Sequence, residues 1–152
     1  MNKDELRKLI AETITQMGYY SPQATELLLG TCAQESHLGK YRIQLGGGPA
    51  LGIMQMEPNT FGDICERYLK GKKELKEKVM QIAGVEYLEP NNLIENDQLA
   101  ICFARLHYLR LKEAIPTDLP GWARYWKKYY NTPAGRGTEE EFIKNYETLI
   151  LN

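Results

Sequence analysis

Glu35 is the side chain whose type and spacing most clearly carry chemistry. From Pro22 onward, Ala24, Leu27, Leu28, Thr31 and Cys32 recur at helical spacing, and the next member of that face is Glu35. The predicted helix then runs into a glycine-rich stretch, so this carboxyl is expected at a helix end, partly withdrawn from water. Desolvation raises a carboxyl pKa. A carboxylic acid that keeps its proton near neutral pH can deliver it to a leaving oxygen, which is what cleavage of a glycosidic bond needs. Periodicity alone leaves a second reading open, a glutamate that reaches back to solvent or caps a neighbouring helix.

Other chemistry-bearing residues are sparse. Cys32, Cys65 and Cys102 are widely spaced, with no C-x-x-C pair. Metal sites usually pair ligands at short spacing, and with only two histidines, His37 and His107, no metal site and no cofactor are expected. The cysteines read as small buried hydrophobes of a chain made in a reducing compartment. Both histidines read as incidental.

The elements that must position Glu35 are helical nearly throughout. Leu6, Leu9, Ile10, Ile14 and Met17 form one stripe that Gly18 can terminate. Ser21-Pro22 reads as a cap and first-turn proline. Gly46-Gly47-Gly48-Pro49 breaks the pattern between Gly39 and about Gly52, leaving room for one short hairpin near 41–56. Pro58 opens a helix with Phe61, Ile64, Cys65 and Tyr68 on one face. The Lys- and Glu-rich stretch from Lys70 to Lys78 reads as a solvated face, with Leu75, Val79 and Ile82 as a thin apolar stripe. After the Pro90-Asn91-Asn92 turn, a long helix is expected to about Glu113, with Ala100, Ala104, Tyr108 and Leu111 inward. Asp118 can cap a helix whose aromatic stripe is Trp122, Tyr125, Trp126 and Tyr129. That pattern serves sugar stacking or core packing; core is the reading adopted. Thr138 and Glu141 have capping-box spacing, and a last helix runs to about Leu149. The expectation is an all-α chain, mainly helical, with residues 1–152 forming a single domain.

Composition narrows the function classes. Of 152 residues, 43% are hydrophobic and 26% charged, which excludes wholesale disorder. Nineteen basic residues against 20 acidic ones leave no basic excess for a nucleic-acid partner. No apolar run approaches the roughly 20 residues of a membrane span, so no stable membrane insertion is expected. The N-terminus, Met1-Asn2-Lys3-Asp4-Glu5, does not read as a cleavable secretory signal.

Gln34-Glu35-Ser36-His37-Leu38-Gly39, followed by Gly52-Ile53-Met54-Gln55-Met56-Glu57-Pro58-Asn59-Thr60, resembles the lytic transglycosylase branch of the lysozyme-like superfamily. That family carries Glu-Ser at a helix end, then a Gly-Leu-Met-Gln stretch with a downstream Pro and Thr. Ala104-Arg105-Leu106-His107-Tyr108-Leu109 and Tyr129-Tyr130-Asn131 are similar to its two later signatures, in the same order. Together they span about residues 24 to 131. Gly46-Gly47-Gly48-Pro49-Ala50 and Tyr129-Tyr130-Asn131-Thr132-Pro133-Ala134-Gly135-Arg136-Gly137-Thr138 look like the small wall-degrading proteins of bacteriophages, endolysins or virion-associated.

What the resemblance implies is specific. Glu35 matches the catalytic acid/base. Ser36 would help hold the acid and the sugar, or bond backbone at the helix end. Met54 would form an apolar cleft wall or equally sit in the core, Gln55 would bond an N-acetyl group or hydroxyl or else anchor the loop, and Tyr108 would line the cleft floor or pack beneath it. Tyr130 matches the tyrosine whose hydroxyl orients the glutamate, with Asn131 its neighbour; Tyr129 is left to the core. The serine that the family places before its Gly-Leu-Met-Gln stretch is absent here, so its substrate contact is missing or supplied otherwise.

The activity implied is cleavage of peptidoglycan glycan strands at the β-1,4 bond between N-acetylmuramic acid and N-acetylglucosamine, with a 1,6-anhydro product. A hydrolytic muramidase with the same site is the alternative, and a wall-binding virion protein without activity is another. Two-carboxylate glycosidases need a second acid. Glu57 is the best candidate, though it also suits the start of the helix at Pro58; Asp63 and Asp97 are weaker. Substrate assistance by the 2-acetamido group would need none. A monomer is expected, made without a signal peptide and reaching the wall through a membrane breach or from a virion.

Overall fold

A computed structural model describes residues 1–131 and 135–152. Thr132, Pro133 and Ala134, part of the loop and motif noted above, lie outside the described residues. Helix α1, Lys3–Met17, starts at Asn2, whose side chain accepts from the amides of Asp4 and Glu5, and ends at Gly18 in the left-handed region. Helix α2, Pro22–Ser36, is capped by the Ser21 side chain on the Ala24 amide. It is buried on nearly every side, packing against α1 and three later helices. Such a helix shows no clean amphipathic stripe, and its one carboxylate near the far end is conspicuous.

Helix α3, Pro58–Asp63, continues as a π-helical turn to Tyr68, and α4 spans Lys73–Ala83. The Pro90 turn is a short 3-10 segment, Pro90–Leu93. Helix α5, Asp97–Leu109, is capped by Asn96. Helix α6, Leu119–Tyr125, is capped by Asp118 and widens into a π-helical turn, Trp126–Asn131. Helix α7, Glu139–Tyr146, opens on the Thr138–Glu141 capping box and continues as a π turn to Leu151. The all-α reading therefore holds, and Leu6, Ile10, Leu28, Phe61, Phe103, Trp126 and Phe142 fill one contiguous apolar core.

Two expectations are corrected. The hairpin near 41–56 is only a pair of isolated antiparallel bridges, Ile43 to Leu51 and Leu51 to Met56; the glycines and side-chain anchors of that loop leave no run of paired backbone. Helix α5 ends at Leu109 rather than near Glu113. Tyr125 donates to the Glu113 carbonyl at 2.7 Å, while Arg124 and Tyr129 hold its carboxylate. These contacts draw residues 110–115 onto α6 instead of continuing the helix. All three cysteines are free; Cys32 and Cys102 are buried and Cys65 is partly exposed. Burial pushes the Cys32 and Cys102 thiols up to about 12, which suits packing rather than reactivity. No described helix is long and apolar enough to cross a membrane.

Candidate active site

Glu35 lies in the last turn of α2, partly buried. Its Oε2 accepts a hydrogen bond from Trp126 Nε1 at 2.9 Å. Burial raises its pKa from 4.5 to about 7, with the indole N–H working against that rise. The negative end of the α2 dipole also disfavours a carboxylate here. Two phenols nearby, Tyr108 and Tyr130, are pushed well above their usual range by burial and stay neutral. Among the described residues no basic side chain forms an ion pair with Glu35. The group is therefore a proton donor poised near neutral pH.

It opens on a groove. A chamber of about 520 Å³ is lined by Glu35, Gln44, Gln55, Glu57, Trp126 and Tyr130, among others. A second, of about 350 Å³, shares Glu35, Gln44 and Gln55 and adds His37, Tyr41 and Leu45. A smaller one of about 120 Å³ shares Gln55, Glu57 and Tyr130 with the first and reaches His107 and Tyr129. Glu35 lines both of the two larger chambers. A larger hollow of about 650 Å³ lies elsewhere, beside Leu9, Ala83 and Asp97. Of its two carboxylates, Asp97 is taken by Arg42 and Glu95 is exposed to solvent, and its Asn96 caps α5, so it holds no partly buried acid free of an ion pair, as Glu35 is.

The residues expected around Glu35 divide sharply. Tyr130, Asn131 and Gln55 line the groove. Ser36, Met54 and Tyr108 do not reach it. Ser36 is fully buried; its hydroxyl donates to the Ile53 carbonyl at 2.6 Å and accepts from the Gly39 amide at 2.9 Å. It fastens the loop to the end of α2 and does not reach the groove. Met54 is fully buried in the core and forms no cleft wall. Tyr108 is buried beneath the site, its hydroxyl bonded to Thr31 Oγ1 at 2.9 Å. The Tyr130 hydroxyl does not orient Glu35 either: it donates to the Met54 carbonyl at 2.6 Å and so anchors the loop. Asn131 Oδ1 accepts from Lys127 at 2.8 Å. Gln55 Nε2 faces the carbonyls of Tyr41, Arg42 and Gly52 at 3.0–3.2 Å. Three carbonyls fix which end of that amide is nitrogen, leaving Oε1 as the atom not used in anchoring.

Of the candidate second carboxylates, Asp63 pairs with Arg67 and Arg110, and Asp97 with Arg42. Neither lines the groove. Glu57 does; it is exposed, sits at the N-cap of α3 and makes no capping hydrogen bond. His37 lines the second chamber, whereas His107 is clamped between Arg110 and the Tyr129 carbonyl. Burial and Arg110 lower the His107 pKa to about 4 and keep it neutral.

Trp126 is the residue that sequence reasoning placed elsewhere. The aromatic stripe assigned it to the core, and the ring is indeed fully buried. A buried indole N–H nevertheless needs an acceptor, and that requirement is the signal that pointed beyond packing. The π-helical turn places Trp126, Tyr130 and Asn131 along one edge of the groove; such turns recur at functional sites. Gln44, Arg136 and the capping-box residue Glu141 also line it, and sequence reasoning assigned none of them a place at the site. Among the described residues no cluster of three His, Cys, Asp or Glu could hold a metal ion. No family model, curated protein or solved structure matches this chain.

Proposed function

We propose that the chain cleaves peptidoglycan glycan strands, with Glu35 as its single acid and base, as a member of the lytic transglycosylase branch of the lysozyme-like superfamily. One observation carries the reading. A carboxyl raised to about 7 by burial is fixed by an indole N–H and lines both larger chambers of a groove. Such a group gives up a proton readily at neutral pH and, once ionised, takes one back.

The chemistry balances with that one group. Protonated Glu35 donates to the glycosidic oxygen as its bond to C1 of N-acetylmuramic acid breaks, and the bonding electrons leave with that oxygen. The 2-acetamido carbonyl oxygen bonds C1 in its place. Ionised Glu35 then takes the proton of the 6-hydroxyl, whose oxygen displaces the acetamido oxygen and closes the 1,6-anhydro ring. The resemblance in the motifs around Glu35, Gln55, Tyr108 and Tyr130 supports the sugar and linkage named here. A phage role, at lysis or from the virion, rests on the same resemblance.

Hydrolysis is the second reading, and exposed Glu57 in the same groove favours it. Mass spectrometry of muropeptides released from purified peptidoglycan tests both. Ends one water lighter than reducing ends are expected. Ordinary reducing ends reassign the chain as a muramidase. Strand binding without release, in a protein that keeps Glu35, reduces it to a wall-binding protein.

A further inference from the structure

We infer that Gln44 and Gln55 together read the 2-acetamido group of a sugar next to the one attacked at C1. The inference rests on the glycan-strand reading above and adds a specificity residue, Gln44, on the loop where the family's serine is missing.

An acetamido group offers one acceptor, its carbonyl, and one donor, its N–H. The two glutamines present the complement, and backbone fixes each one. Gln44 Oε1 accepts from the Ala50 amide at 3.0 Å. A backbone N–H needs an oxygen there, so the opposite end of the Gln44 amide is its NH2, a donor. On Gln55 the nitrogen is the end turned to three carbonyls, so its oxygen is the end left over. Both residues line both larger chambers beside Glu35. The Gln55 anchors include the carbonyls of Tyr41 and Arg42, just ahead of Gln44, so one loop sets both groups before a ligand arrives.

Gly48 makes the Gln44 pose possible. A Cβ at position 48 would lie 2.0 Å from Gln44 Oε1 and 2.2 Å from its amide carbon. The side chain folds over this glycine, which explains a glycine there in terms of space alone. The choice of sugar follows from the chemistry. An acetamido carbonyl held by Gln44 is not free to attack C1, so the sugar read here is a neighbour of the one whose acetamido group assists.

Binding measured in a Glu35→Gln background separates recognition from cleavage. The ligands are the tetramer of β-1,4-N-acetylglucosamine and its fully de-N-acetylated counterpart, titrated by NMR. The parent is expected to prefer the acetylated tetramer. Gln44→Glu keeps an oxygen for the Ala50 amide, removes the donor and adds a negative charge that can only favour the amine-bearing ligand; Gly48→Ala controls for that charge. Gln44→Glu should weaken the acetylated tetramer by about tenfold, the worth of one hydrogen bond plus an unpaired partner, and should not weaken the de-N-acetylated one. Gly48→Ala, which leaves Gln44 in the sequence but forces its amide aside, should reproduce the loss of preference. No preference in the parent, an unchanged affinity in Gln44→Glu, or equal losses for both ligands would each overturn the inference. Muropeptide release by the native chain judges the enzyme reading separately, so either idea can fall without the other.

Discussion

Replacing Glu35 by Gln should alter how stability depends on pH, by an amount the structure sets. A rise in pKa from 4.5 to about 7, at about 1.4 kcal/mol per pH unit, makes ionisation about 3 kcal/mol harder in the folded chain than in the unfolded one. Residual solvent contact of the side chain makes that an upper value. The folded state holds the proton more tightly. Glu35 therefore stabilises fully below about pH 4.5, and that contribution is lost as pH rises through about 7. Glutamine has the same shape, its Oε1 still accepts from Trp126, and it never ionises. From about pH 5 to 9 the unfolding free energy of Glu35→Gln should thus gain about 2–3 kcal/mol relative to the native chain. In a chain of this size that is about 5–10 °C in Tm. Paired urea titrations across that range measure it, since other titrating groups, such as His107 and Glu26, are common to both proteins and cancel. Parallel curves for the two proteins would refute the buried, proton-holding state of Glu35. The same variant should release no muropeptides at any pH.

Three further perturbations separate the neighbouring roles. Trp126→Phe removes the N–H that favours ionised Glu35, so the alkaline limb of kcat/KM should move to higher pH while stability drops by about 1–3 kcal/mol; a limb that stays or moves to lower pH contradicts the assigned bond. Tyr130→Phe leaves the Met54 carbonyl without its donor and should cost about 1–3 kcal/mol in urea unfolding, with the alkaline limb unmoved; a shifted limb would show that the hydroxyl acts on the acid. Glu57→Gln should change muropeptide release by less than about tenfold with anhydro ends retained, whereas a loss beyond about a hundredfold would make Glu57 the second carboxylate of a hydrolase.

Capping chemistry and periodicity made the helices legible. Ser21, Asp118 and the Thr138–Glu141 pair are short-range signals, and the structure uses each as a cap. Gly18 likewise ends α1. The α5 terminus was not legible, because what stops it is the long-range grip of Tyr125, Arg124 and Tyr129 on Glu113. At the site, periodicity placed Glu35 on an apolar face, but it reports a direction and not a depth. Ser36 and Met54 are adjacent to groove residues in sequence yet fully buried. Trp126 fits a packing stripe and a hydrogen-bonding role equally well, and only the fold shows which acceptor its N–H finds.

The buried anchors and the partly buried acid belong to one device. Among the described residues, the non-glycine positions with positive φ are His37, Leu38 and Gln55, at 50°, 59° and 48°. All three lie in or beside the loop that borders Glu35. Such conformations cost of order 1–3 kcal/mol each and persist only where the surroundings over-determine them. Here the surroundings are the Ser36 hydroxyl, the Gln55 amide and the Tyr130 hydroxyl, the groups that the motifs suggested would meet sugar or orient the acid. A lone acid must meet the glycosidic oxygen at hydrogen-bond distance, and a displacement of about 1 Å can cost about a hundredfold in rate. Side chains spent on holding backbone are therefore not lost to function. On the proposed reading, they fix the groove edge against which a strand would register, and they do so before it binds.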